Sequence, residues 1–299
     1  MSESGRTKAL GIICALLGGI LWGFSGSCAQ YVFSSYGVDT VWLASVRIAI
    51  AGASMFAIAV ILRGKRLLAP VKNPRDLLQI VLFAVFGLLF TQFTYLMAIN
   101  YSNASTATVL EYIGPVLVVI VVCIGSHRAP RPLEVVSVIC VVMGTFFLAT
   151  HGDPTQLVLT PEALIWGLLA ATSMIFYTLI PESLLARYDN VSVLAWAMVI
   201  GAIVMAAIAQ PWASMPTLDL TAWLMIIVGL ALLGSVAAFF FYFNAIKLIG
   251  PAPTSMLASI EVLSATCFAV IWLGTSFTGM DLLGLLFILS TVFLLSRDN

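Results

Sequence analysis

Polar residues are so sparse along this chain that they separate apolar runs, which lie near 10–33, 41–62, 77–98, 104–125, 132–150, 163–185, 191–209, 221–245, 252–273 and 280–296. A helix needs roughly 20 apolar residues to cross the hydrocarbon of a bilayer, and each run is close to or above that length. The pattern predicts an all-α fold, a polytopic membrane bundle of ten transmembrane helices. Little chain remains outside the runs, so a soluble domain, a nucleotide-binding motor or an extramembrane catalytic module has no room.

Charge orients the bundle. Of thirteen Lys and Arg residues, twelve fall in alternate gaps between the runs. The N-terminus holds Arg6 and Lys8, the second gap Arg63, Lys65, Arg66, Lys72 and Arg75, and the fourth Arg128 and Arg131. Arg187, Lys247 and Arg297 follow. The intervening gaps, around Asp39, Asn103, Asp153, Asp219 and Thr275, hold none. Positive charge is retained on the cytoplasmic side during insertion, so both termini are expected there. The thirteenth cation, Arg47, lies inside a run.

Composition agrees: the chain is 62% hydrophobic and 9% charged, with a mean hydropathy of +1.11, which leaves too little polar surface for a water-facing globule. Zero net charge and no basic tract beyond Arg63 to Arg75 give nucleic-acid binding no support. The first run is too long for an ordinary signal peptide and lacks an A-x-A exit, so it reads as a retained span. Ser25, three residues before Cys28, argues against a lipoprotein anchor. The five cysteines lie in apolar runs without C-x-x-C spacing and read as small packing residues. His127 and His151 sit in opposite-side gaps, so no metal site is expected, and nothing implies a cofactor.

The chain also resembles itself. Tyr95-Leu-Met-Ala-Ile99 recurs as Tyr242-Phe-Asn-Ala-Ile246, each tyrosine eight residues after a glycine, Gly87 and Gly234. At the same offset Leu110 meets Leu257, and both copies run on through an apolar span into Ile124-Gly125 and Leu273-Gly274. Two five-helix repeats result, residues 1–150 (spans 1–5) and 151–299 (spans 6–10). An odd number of spans per repeat forces the second to enter from the opposite side, giving the inverted arrangement of many secondary transporters.

In these residues the chain resembles the drug/metabolite transporter superfamily, in its EamA branch of ten-span carriers. The likeness covers nearly the whole sequence. It rests on Leu21-Trp22-Gly23 in the first span, Arg47 in the second, a small-residue run then Pro115 in the fourth, Ser259-Ile-Glu261 in the ninth, and the Tyr-x-x-Ala-Ile duplication. The family's frequent Gly-Glu pair at the ends of the fourth and ninth spans is replaced by Gly125-Ser126 and Gly274-Thr275, so no role of that acid carries over. The resemblance implies the cytoplasmic (inner) membrane of a prokaryote, a multi-pass topology, and efflux of a small metabolite.

An ionisable side chain at mid-membrane costs roughly 2.5 to 3.5 kcal/mol on insertion scales, and three are candidates: Arg47, Glu111 and Glu261. Glu111 is seven residues into the fourth run and Glu261 nine into the ninth, both deep at about 1.5 Å per residue. They are not equivalent in the repeat, whose offset puts Glu111 opposite Ala258. Each reads as a substrate-binding or proton-coupling acid in a cavity between the repeats, or alternatively as a glutamate that only holds helices together. Arg47 reads as an ion-pair or coupling residue, or as a cation close enough to the outer end of its span to snorkel.

Trp22, Tyr95, Tyr112, Tyr177 and Tyr242 lie within runs and offer π faces to an amine or aromatic solute, with ordinary packing as the alternative. Gln92 and Asn244 are candidate polar groups of the same cavity. Trp42, Trp212, Trp223 and Trp272, near run ends, read as interface anchors. Pro115 is the candidate hinge, since it frees the carbonyl of Glu111 from helical bonding. Pro181 is placed to kink the sixth span, and Pro251 and Pro253 to start the ninth.

The function expected is secondary active transport of a small organic solute, of amino acid or amine class, by alternating access with proton coupling or exchange, because no nucleotide-binding P-loop is present. An intramembrane lipid-modifying enzyme using a buried Glu, or a receptor that moves nothing, is the competing reading. The enzyme lacks an Asp-rich metal motif, H-E-x-x-H and a nucleophile elbow, so a non-enzyme is expected. The partners implied are a small-molecule substrate and membrane lipid, not nucleic acid, and the sequence leaves pairing as a homodimer open.

Overall fold

The computed structural model describes residues 3–297 apart from 126, 128, 154–158, 250–253, 255 and 256. Its helices, in chain order, are α1 (Glu3–Tyr36), α2 (Thr40–Arg63), α3 (Pro74–Tyr101), α4 (Ala104–Gly125), α5 (Pro132–Thr150), α6 (Pro161–Arg187), α7 (Asn190–Ala209), α8 (Leu220–Ile249), α9 (Ile260–Ile271) and α10 (Gly279–Arg297). Eight are long and apolar enough to cross a membrane, and Ile260–Ile271 and Gly279–Ser290 are shorter apolar helices. The described residues contain no strand. The protein is thus an all-α polytopic membrane bundle. Pro251 and Pro253 lie outside the described residues.

Gap residues that the charge pattern left unemployed start the helices. The side chains of Asp39, Asn103, Thr160, Asp189 and Asp219 accept bonds from the amides of Trp42, Thr106, Ala163, Ser192 and Ala222, each satisfying one of the first-turn donors that a helix leaves unpaired. Large apolar side chains such as Ile61, Ile203, Leu286 and Ile271 stay exposed, the face expected of a bundle whose solvent is lipid.

α1 runs against both α8 and α9, and its glycines set the spacing. A Cβ on Gly23 would lie 2.6 Å from the amide nitrogen of Ala265 and 2.8 Å from the carbonyl oxygen of Glu261. One on Gly19 would lie 2.6 Å from the carbonyl oxygen of Ala258. Only glycine lets these backbones approach so closely, and the Ser264 hydroxyl completes the seam by donating to Ile20 O at 3.1 Å.

Several helices depart from regular α geometry. Phe83–Leu89 in α3 and Met225–Ala237 in α8 are π-helical, a form concentrated at functional sites. α4 is interrupted at Tyr112 and Ile113, and α6 at Ile180 and Pro181, where the sequence placed a kink.

The first five helices are bound to the last five at both ends of the bundle. At one end the Arg187 guanidinium meets Asp76 at 2.7 Å, the Tyr188 hydroxyl donates to the same carboxylate at 2.7 Å, and Arg63 pairs with Asp189 at 2.8 Å. At the other, Tyr36 donates to Asp219 at 2.7 Å, Gln30 to Thr275 at 3.1 Å, and the Trp42 indole to Pro211 O at 3.1 Å. Trp42 is therefore not an interface anchor. It is buried, with its ring edge against Trp223, because its polar tip finds a carbonyl inside the protein.

Asp189 both caps α7 and pairs with Arg63. Burial raises its pKa, but bonds from the Ser192 hydroxyl and amide and from Arg63 outweigh that and hold the carboxyl below its ordinary 3.8. A depressed folded pKa means that the stabilisation is present above the unfolded value and is lost as pH falls through the folded one. Asp189→Ala is expected to cost about 1 to 2 kcal/mol at neutral pH. Thermal melts of variant and native protein should begin to approach each other near that ordinary value and converge only as the pH falls through the lower, folded one.

Candidate functional site

Arg47 of α2, Glu111 of α4 and Glu261 of α9 line one interior cavity with Trp22, Gln92, Tyr95, Tyr112, Tyr177 and Tyr242. Nine residues chosen from sequence therefore meet in one place. The cavity measures about 70 Å³, room for a few waters. Thr91, Met174, Phe239 and Ala258 complete the wall. None of these four carries a charge or breaks a pattern, so nothing in the sequence marked them.

Arg47 does not snorkel. It is 4% exposed, and its Nε donates to the Ser235 hydroxyl at 3.0 Å, which in turn is 3.0 Å from the Gln92 carbonyl oxygen and 3.1 Å from Leu230 O. Leu230 is five residues before Ser235, so the π register of α8 brings that acceptor within reach. Ser235 was missed from sequence. Its only signal is its place beside Gly234 in a stretch of small residues.

The two acids differ. Glu261 accepts from the Tyr112 hydroxyl at 3.3 Å, and the same hydroxyl donates to Ala258 O at 2.8 Å. The geometry of α9 explains that second acceptor. The amide of Val262 bonds Ser259 O at 3.1 Å, one residue short of the α register, so Ala258 O turns to Tyr112 instead. In α4, likewise, Ile113 N bonds Leu110 O at 3.1 Å. Glu111 sits immediately before the break in α4, and Glu261 two residues after the turn at Ser259 that precedes α9. Glu111 is 8% exposed and makes no hydrogen bond or ion pair with a described residue. Its carboxyl is left to the cavity.

The aromatic side chains pack on one another. Trp22 lies 5.0 Å from Tyr242 and 5.1 Å from Phe239 between ring centroids, and Tyr177 lies 6.1 Å from Tyr242. Tyr95 faces α4 instead, sharing a 2.7 Å hydrogen bond with Thr108.

Asn244 is a correction, since it does not line the cavity. Its amide donates to Phe240 O at 2.8 Å within α8, because two residues beyond Tyr242 the helix has turned about 200° away. Pro115 follows the break in α4, in the segment Gly114–Gly125, where its missing N–H leaves Glu111 O without the usual helical donor.

These features define a class: a helical membrane protein that keeps ionisable groups in a small, aromatic-lined pocket of its interior. The profile of the EamA-like transporter family matches residues 9–150 and again 162–297. The chain belongs to that family, and it is a transporter rather than an enzyme. It is 33% identical, over 97% of its length and 96% of the other's, to the uncharacterised inner membrane transporter YicL of Salmonella typhimurium. A crystal structure of a protein 17% identical shares the fold with a TM-score of 0.65 over 98% of each chain.

Proposed function

We propose that the chain is a secondary active transporter that exports a small organic solute of amino acid or amine class across the cytoplasmic membrane, with both termini in the cytoplasm. The observation that carries this reading is the Glu111 carboxyl, buried in the cavity with no hydrogen-bond or ion-pair partner among the described residues, in a wall shared with a guanidinium already oriented by Ser235. A buried carboxyl without a partner is costly, and a cationic group or a proton relieves that cost. Glu111 thus serves both as the ammonium-binding acid and as the coupling residue. Arg47 faces the carboxylate of a zwitterion, and the rings of Trp22, Tyr177 and Tyr242 part to admit its remainder.

Alternating access would move residues 1–150 against 151–299 as inverted repeats. Two features support that division. The offset that carries Tyr95 to Tyr242 carries Tyr112, at the break in α4, to Ser259, at the turn that precedes α9, and it makes the π stretches of α3 and α8 overlap. Pro115 is the hinge of the first repeat, and Tyr112 joins the break to the turn across the cavity.

A thermal-shift screen of the purified protein over amino acids, polyamines, quaternary amines and nucleosides tests the reading, since a specific ligand stabilises the folded state by mass action. An amine or amino acid is expected to raise the melting temperature and then to move across proteoliposomes down its gradient. Chemical turnover of the ligand without net movement, or stabilisation by none of these classes, overturns it.

A further inference from the structure

We propose that the connection between α2 and α3 is a binding surface for anionic phospholipid headgroups, and that lipid held there braces the adjacent seam between the first and last five helices. Lys65, Arg66, Lys72 and Arg75 are all exposed on this short stretch, and none forms an ion pair with a described residue. The acids at hand are engaged elsewhere, Asp189 by Arg63 and Asp76 by Arg187 and Tyr188. The patch therefore keeps its positive charge.

Its backbone is held in place. Gly64 turns the chain at φ +50°, a short 3₁₀ turn covers Gly64–Leu68, Leu67 is 3% exposed, and its carbonyl accepts from the Trp196 indole at 2.8 Å. The cations are thus presented from a fixed turn rather than a loose loop. Apolar residues fix their depth. Ile61 and Leu62 at the end of α2, and Leu77 and Leu78 in the first turn of α3, are exposed, so each flank of the patch lies against acyl chains. Cations set between two lipid-facing turns lie at headgroup level, where a phosphodiester is the anion within reach.

The position has a consequence for the moving parts. Arg63 ends α2 and Asp76 lies in the first turn of α3, so the patch is bracketed by two of the residues that fasten this end of the bundle. Headgroups bridging the patch hold both helix ends and strengthen that fastening. The proposal needs the connection to lie at the bilayer surface and does not depend on what the transporter carries.

The full-length protein, purified and reconstituted in phosphatidylcholine vesicles with or without phosphatidylglycerol, provides the test. Phosphatidylglycerol is expected to raise the melting temperature by roughly 5 °C and to remain bound in native mass spectra. Both effects should fall by roughly tenfold or more in binding terms in K65Q/R66Q, and fade as salt is raised from about 0.1 to about 1 M. The variant K247Q, altered on another connection, should keep them. Should K65Q/R66Q fold poorly, the salt titration of the native protein decides alone. Equal shifts in native protein and K65Q/R66Q, insensitivity to salt, or the same stabilisation by inorganic phosphate at matched ionic strength would each overturn the proposal.

Discussion

Glu111→Gln is expected to abolish the pH dependence of transport and to lower its rate at least tenfold, while leaving the melting temperature unchanged or higher. The two outcomes belong together because Glu111 is buried without a hydrogen-bond or ionic partner among the described residues. Desolvating a carboxyl with nothing to receive it costs folding free energy, and a neutral amide of the same shape removes most of that cost. A residue that only fastened two helices would show the reverse, a lower melting temperature with pH-dependent transport intact. Glu261 supplies the contrast. Its carboxyl is held by Tyr112 at 3.3 Å, so Glu261→Leu, which removes the acceptor that a glutamine would keep, should reduce stability by about 1 kcal/mol, the scale of one buried hydrogen bond. Reconstituted vesicles with an imposed pH difference, together with melting curves of both variants, read all of these effects.

Gly23→Ala is expected to do more damage than its single methyl suggests. Its new carbon would sit 2.6 Å from the Ala265 nitrogen and 2.8 Å from the Glu261 carbonyl oxygen, and backbone atoms cannot rotate aside as a flexible side chain can. α1 and α9 must separate, at a cost of roughly 1 to 3 kcal/mol for an overpacked contact. The carbonyl that is pushed belongs to Glu261 itself, so the acid moves with it and transport should fall further than stability. Gly201 gives the comparison. A Cβ there would meet its nearest atom at 3.6 Å, and Gly201→Ala should be nearly silent in expression, melting temperature and transport alike.

The membrane runs and the deep acids were legible because both signals are one-dimensional. Apolar length sets a span, and a charge within it has to find the interior. For the same reason Glu111 and Glu261, which the internal repeat does not align, could still be expected in one cavity. What escaped was rotational phase. Asn244 looks equivalent to Tyr242 when only depth is counted, yet it lies on another side of α8. The π stretches alter that phase again by shifting the register within a helix, and Ser235 gains its roles toward Arg47 and Leu230 O through such a shift. Trp42 was misplaced because a tryptophan near the end of a run signals the interface by frequency alone, whereas Pro211 O offers its indole a partner inside.

The two fastened ends are chemically unlike. The end with Asp76 and Asp189 is held by guanidinium–carboxylate pairs, and Arg187 there is 47% exposed. The opposite end relies on neutral donors, the hydroxyl of Tyr36, the amide of Gln30 and the indole of Trp42. Dissolved ions weaken the first kind of bond and hardly touch the second. In the alternating-access cycle proposed above, the balance between opening at one end and at the other would be set partly by the electrolyte bathing one face, so the same molecule would rest differently in dilute and in concentrated surroundings.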